Sequence, residues 1–321
     1  MNESCKRVPV SGVPFLLFLT VACALPALFP GDVRAQRGRE GPPEQGSVEP
    51  VNLLPNPYVT IRDFGTLPDG RSWGSVSAVN VDIDGIHIWA GDRCGTNSCA
   101  TSDVDPIVKL DPDGNVVQSF GAGEIIWPHG MDVDAEGNVW IADARIANAG
   151  ELRANPDAAG KGSSVIKFSP EGEFLFSFGS GMFVWPHGII VDDDDNLWIV
   201  DAGVIDGEKG NQIFKFNQEG QLLIELGQPG VRGGGPGQFN EPSDLAIGPD
   251  GTLYIVDGHI NPDSNRRIVH LTAEGEFIEA WGEKGYGPLQ FEGPHSLAVD
   301  SQGRIYVGDR TNNRLQVFSP E

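Results

Sequence analysis

At 321 residues the chain is long enough to bury one large core, and its net charge of −23 argues against nucleic acid or an anionic membrane as partner, since both would repel it. Charge carries no information about the fold, so the elements are taken in chain order. Lys6 and Arg7 precede an apolar run, Val13–Phe29, that ends in "PGDVRAQ". A charged start, an apolar centre and a small-residue boundary predict a signal peptide over residues 1–35, cleaved after Ala35. A lipoprotein site at Cys23 fits less well, because Thr20 is a poor match and apolar residues continue past the cysteine. The run is too short for a membrane span. The mature protein is therefore expected in the periplasm or secreted, without stable membrane insertion after cleavage. Residues 36–56, rich in Pro, Gly and charge, read as a disordered leader. Residues 57–321 read as one all-β domain.

Four segments align within that domain: "WPHGMDVDAEGNVWIADA", "WPHGIIVDDDDNLWIVDA", "NEPSDLAIGPDGTLYIVDG" and "GPHSLAVDSQGRIYVGDR". Each has period-2 alternation, then a turn, then a β-rich run, which is the signal of a hairpin. A second hairpin follows in most units, with "PEGE", "QEGQ" or "AEGE" placing Gly where a positive φ is needed. Prolines at 128, 186, 242 and 294 set spacings of 58, 56 and 52 residues. A divergent unit, "SAVNVDIDGIHIWAGD", precedes them. Four-stranded units at such a period are propeller blades. Five four-stranded blades are countable. Either "PYVTIRDFG" supplies the fourth strand of the last blade and closes a five-bladed ring, or the chain is a six-bladed relative lacking a blade.

Two cysteines follow the leader, Cys94 and Cys99 in "CGTNSC", and an oxidising compartment predicts a local disulfide between them in preference to a metal pair. The strand-ending Asp92, Asp143, Asp201, Asp257 and Asp309 recur in every unit, as loop-fixing residues do. Trp89, Trp140 and Trp198 read as blade core, and the acidic run Asp192–Asp195 as a solvated turn.

Aligned on those aspartates, one register position reads Ser77, His129, His187, Ser243, His295. Equivalent positions form a ring around the propeller axis, so distant residues can converge there. Three neutral imidazoles with an open fourth position suit zinc, although imidazole also suits Cu, Fe or Ni. Against this stands the simpler reading of a repeated Pro-His turn. Arg93 and Arg310 each follow a strand-ending Asp and face the same end of their blades. They are candidates to bind a carboxylate, or alternatively to pair with the adjacent Asp. His259 is a candidate general base or a solvated loop residue.

The units resemble NHL repeats. "FVWPHGIIVD", "NEPSDLAIGPDGTLYIVDGH", "RIVHLTAEGEFIEAWGEKGYGPLQFEGPHSLAVD" and "DRTNNRLQVF" are similar to peptidyl-α-hydroxyglycine α-amidating lyase. The resemblance implies a six-bladed propeller with a channel zinc held by three histidines, a structural calcium, arginines on the substrate carboxylate and a tyrosine near the metal that helps take a proton. It implies cleavage of a C-terminal α-hydroxyglycine to a peptide amide and glyoxylate. Carried over, His129 or His187 takes the place of the first histidine, His295 of the second, and Arg93 and Arg310 of the arginines. The family's third ligand turn, "PHD", is missing, and His259 stands where the family has tyrosine. The implied enzyme is a metal-dependent carbon–nitrogen lyase acting on a small molecule or peptide at the channel face. The alternatives are a non-catalytic NHL scaffold binding peptides or proteins, and a calcium-dependent lactonase-type hydrolase, which the Ser/His ring disfavours.

Overall fold

The computed structural model describes Glu3–Arg7, Tyr58–Arg62 and Phe64–Pro320. The expected signal-peptide core, its cleavage site and the leader lie outside the described residues. The remainder is an all-β propeller. Its first blade comprises Val76–Val81, Ile88–Asp92, Ile107–Leu110 and Val116–Phe120. The second comprises Pro128–Val133, Val139–Asp143, Ser164–Phe168 and Phe174–Phe178. The third runs Pro186–Val191, Leu197–Ile205, Lys209–Phe216 and Leu222–Leu226, and the fourth Pro242–Ile247, Leu253–Asp257, Arg267–Leu271 and Phe277–Trp281. The fifth has three strands, Pro294–Val299, Ile305–Asp309 and Arg314–Phe318. All pairings within the blades are antiparallel.

The near-continuous apolar runs of the middle strands, such as Val139–Asp143 and Ser164–Phe168, are buried on both faces, and these faces pack between neighbouring blades. Trp89, Ile107 and Phe120 of the first blade pack on Met131, Ile141 and Phe168 of the second. The same arrangement recurs between the second and third blades, the third and fourth, and the fourth and fifth. Turn glycines serve two ends. Gly172 has φ +87°, and a Cβ there would lie 2.5 Å from the Phe120 ring that closes the preceding blade. Trp89, Trp140 and Trp198 are core, as the alternation predicts, and each donates its indole N–H to Asp82, Asp134 or Asp192. Lys109, Lys167 and Lys215 pair with the same carboxylates. Asp192, expected as part of a solvated turn, is thus a structural anchor. The repeat pattern did not predict one element: the helix Ala149–Ala154, started by an Asn148–Glu151 capping box, sits between the second and third strands of blade two.

Tyr58–Arg62 does not complete the fifth blade. It pairs with Glu3–Arg7. The residues after it explain the placement: Phe64 packs on Leu110 and Val116 of the first blade, and Gly65 approaches Gly114. The innermost strands contact one another consecutively from first to fifth blade, with no comparable contact between fifth and first among the described residues. Exposure marks that interval. Leu315 is 61% exposed, whereas its counterparts Ile107, Val165, Ile213 and Ile268 are 0% exposed. Val79 on the other flank is 65% exposed against 6% for Met131. Among the described residues neither has the neighbouring blade that covers its equivalents.

Candidate metal centre

The recurrent aspartates lock the segment that enters each innermost strand. Asp143 accepts the N–H groups of Ile126 and Trp127, Asp201 those of Val184 and Trp185, and Asp309 those of Glu292 and Gly293. Proline then opens the strand and histidine follows. The glycine after it is required by space. A Cβ on Gly130 would lie 2.5 Å from the His187 carbonyl oxygen, and one on Gly188 would lie 2.8 Å from Asp244 Oδ1. "Pro-His-Gly" is therefore a device for close approach of neighbouring inner strands, and it leaves the imidazole directed to the axis.

Four of the six histidines meet there. Ring centroids of His129 and His187 are 3.8 Å apart, His187 and His295 5.0 Å, and His129 and His295 6.4 Å. His259 joins them from the loop after Asp257, 5.2 Å from His187 and 4.9 Å from His295. Ligand atoms of His187, His259 and His295 all lie within 4.8 Å of one another, while His129 stands at the flank against His187. A tetrahedral zinc with bonds of 2.0–2.1 Å separates its ligands by about 3.4 Å, so small rotamer adjustments suffice. The remaining histidines lie elsewhere: His87 pairs with Asp84, and His270 stacks on Tyr254.

Polar partners fit a metal-binding role. The His187 side chain hydrogen-bonds to the Ser243 backbone, leaving Nε2 buried without a partner. Both ring nitrogens of His259 are likewise buried and unpartnered. An imidazole tethered through one nitrogen to a carbonyl, with the other nitrogen free, is how metal-ligating histidines are oriented. Burial holds His129 and His259 down to about 3 and His295 to about 4, and His187 well below its ordinary value. Neighbouring imidazoles, with Arg93 beside His129 and Arg310 beside His259 and His295, push in the same direction. All four are neutral at pH 7, the ligating form.

Neither arginine pairs with its adjacent aspartate. Asp92 is taken by Arg71 and by the Gly74 and Gly95 N–H groups, and Asp309 by Arg314 and Asn312. The Arg93 guanidinium lies flat on Trp127, 3.3 Å from the ring centroid. Its Nε donates to Pro128 O and its Nη1 to Asn97 Oδ1, at 3.2 and 2.8 Å. Burial lowers its pKa to about 10, so it stays charged. Arg310 is exposed at the rim. The Cys94–Cys99 disulfide is formed and closes the loop that carries Asn97. Sequence reading missed Trp127, Trp185 and Asn97 as parts of the site. The signal available was "WPHG" itself, whose tryptophans recur beside the histidines.

The NHL repeat family model matches residues 291–318, the fifth blade. NHL repeat-containing protein 3 of Mus musculus is 38% identical over 162 residues, covering 49% of this chain and 45% of that protein. A probable peptidyl-alpha-hydroxyglycine alpha-amidating lyase of Caenorhabditis elegans is 29% identical over 222 residues, 68% of this chain and 60% of that protein. The matched stretches thus span less than two thirds of these relatives. Among solved structures, a catalytically inactive virginiamycin B lyase from Staphylococcus aureus with quinupristin superposes with a TM-score of 0.50 at 16% identity. It covers 79% of this chain and 73% of that one, and shows the fold alone. The chain is a β-propeller whose fifth blade matches the NHL repeat model. It resembles the peptidyl-α-hydroxyglycine α-amidating lyases and carries side-chain groups able to hold a metal ion.

Proposed function

We propose that this propeller is an exported carbon–nitrogen lyase that cleaves a peptidyl-α-hydroxyglycine into the peptide amide and glyoxylate. The observation that carries the reading is the convergence of four neutral imidazoles beside two arginines that form no side-chain salt bridge among the described residues. His187, His259 and His295 are the set that would hold a divalent ion, and an all-imidazole set suits zinc. Such an ion supplies Lewis-acid polarisation of the substrate hydroxyl. Arg93 and Arg310 orient the substrate carboxylate, Arg93 as a flat fork fixed by Asn97 and Trp127. His129, neutral and half-buried, takes the hydroxyl proton. The carbonyl of glyoxylate forms as the C–N bond breaks, and the departing amide nitrogen keeps the electron pair and is protonated. Among the described residues Asp82, Asp84 and His87 form a second group that could hold a cation, and the structural calcium rests on the resemblance alone.

A second reading, a non-catalytic propeller that presents its channel face to a peptide or protein, is favoured by the identity to NHL repeat-containing protein 3, named for its repeats. One experiment separates the two. Protein purified without a His-tag or chelator is assayed for bound metal and for glyoxylate release from N-benzoyl-α-hydroxyglycine. Metal near one per chain with glyoxylate release supports the lyase. Metal-free protein that releases none, with or without added zinc, removes it.

A further inference from the structure

Two tryptophans stand at the mouth of the channel, and they differ from the blade-core tryptophans. Trp127 and Trp185 occupy the position two residues before His129 and His187, where the fourth and fifth blades have Glu241 and Gly293. Both are half-buried, whereas Trp89, Trp140 and Trp198 are closed off. Their ring centroids lie 6.4 Å apart at 45°. Trp185 is edge-on to three imidazoles, at 5.1 Å from His187, 5.0 Å from His259 and 5.9 Å from His129. Trp127 gives its indole N–H to Asn97 O, 2.8 Å away, while that of Trp185 has no acceptor among the described residues.

We infer that Trp127 and Trp185 form an aromatic subsite for the side chain of the residue preceding the reacting one, so that the protein selects peptides carrying an aromatic or large apolar residue there. The inference rests on the lyase reading for the direction of the bound peptide. With the carboxylate between Arg93 and Arg310 and the reacting carbon over the imidazoles, the preceding residue lies one 3.8 Å step away. Trp185, 5–6 Å from those same imidazoles, is the wall which that step meets. Its free indole N–H can donate to the peptide carbonyl. Aromatic surface beside a polar centre recognises flat apolar groups through offset or edge contacts. Selection then follows from where apolar area is buried.

The test uses stable probes as well as turnover. Binding of N-acetyl-Phe-Gly, N-acetyl-Ala-Gly and N-acetyl-Asp-Gly is measured by calorimetry on the metal-loaded protein, alongside kcat/KM for the corresponding α-hydroxyglycine compounds. The expected result is about tenfold tighter binding of the Phe probe than the Ala probe, the size of one aromatic contact. Trp185→Leu should erase that preference and Trp185→Phe should keep most of it, both at an unchanged melting temperature. Equal binding of Phe and Ala probes, or a preference that survives Trp185→Leu, overturns the subsite. Binding preference without glyoxylate release would leave the subsite standing and remove the lyase. Glyoxylate release without preference would do the reverse.

Discussion

The imidazole of His259 lies 5.2 Å from that of His187, although the two reach the channel from different structural positions. His187 is the second residue of an innermost strand. His259 follows a second strand, in a loop wrapped around the Arg266 guanidinium, which donates to the carbonyls of Asn261, Ser264 and Asn265. The third ligand is thereby distinguishable by experiment. We expect His187→Ala and His259→Ala to lower bound metal from about one per chain to near none, measured by elemental analysis. His129→Ala should retain metal and lose kcat by about 10²-fold or more, as for a proton-transfer group. Loss of metal from His129→Ala with retention in His259→Ala would exchange the two roles.

The clamp on Arg93 gives a second prediction. Asn97 accepts from Arg93 Nη1 through its side chain and from Trp127 Nε1 through its carbonyl, and the Cys94–Cys99 bond closes the loop that presents it. Replacing both cysteines by serine should raise KM about three- to tenfold with kcat nearly unchanged, the pattern of lost ground-state binding. A fall in kcat at constant KM would count against the clamp.

The Asp143 carboxylate gives a pH prediction. Burial pushes it up to about 7, against the bonds it accepts from the Ile126 and Trp127 N–H groups. A folded-state pKa above the unfolded value of 3.8 means a contribution to stability fully present below pH 3.8. That contribution is lost as pH rises through about 7. Asp143→Asn cannot ionise. Its melting temperature relative to the parent protein should therefore improve from pH 5 to pH 8, read by calorimetry. A pH-independent difference would refute the shift.

The exposure that the described residues show between the fifth and first blades predicts unequal costs for equivalent truncations. Ile268→Ala removes a side chain with no exposure and should cost about 2–5 kcal/mol. Leu315→Ala, at the same register position but 61% exposed, should cost no more than about 0.5 kcal/mol. Chemical denaturation measures both. Comparable costs would show Leu315 covered in solution.

The sequence alone determined the blades, because strands and hairpins are written locally. Apolar runs such as Val139–Asp143 bury both faces of a strand, and turn glycines such as Gly172 supply the positive φ. It also determined the histidine register, since equal positions in a repeat fall on one ring, and the Cys94–Cys99 pairing, since the two lie on one short loop. The tertiary structure decided which histidines meet. That depends on how far each blade is rotated against its neighbour and on the path of a non-repeating loop, and neither has a local signature. His259 joins the cluster for that reason, and His129 moves to its flank. The same limit hid the stack of Arg93 on Trp127, which joins the first blade to the second, and the placement of Tyr58–Arg62. "YVTIRDFG" has the pattern of a fourth strand, but long-range packing of Phe64 against the first blade decides where that strand lies. Local pattern specifies an element's shape, and contacts between elements specify its neighbours.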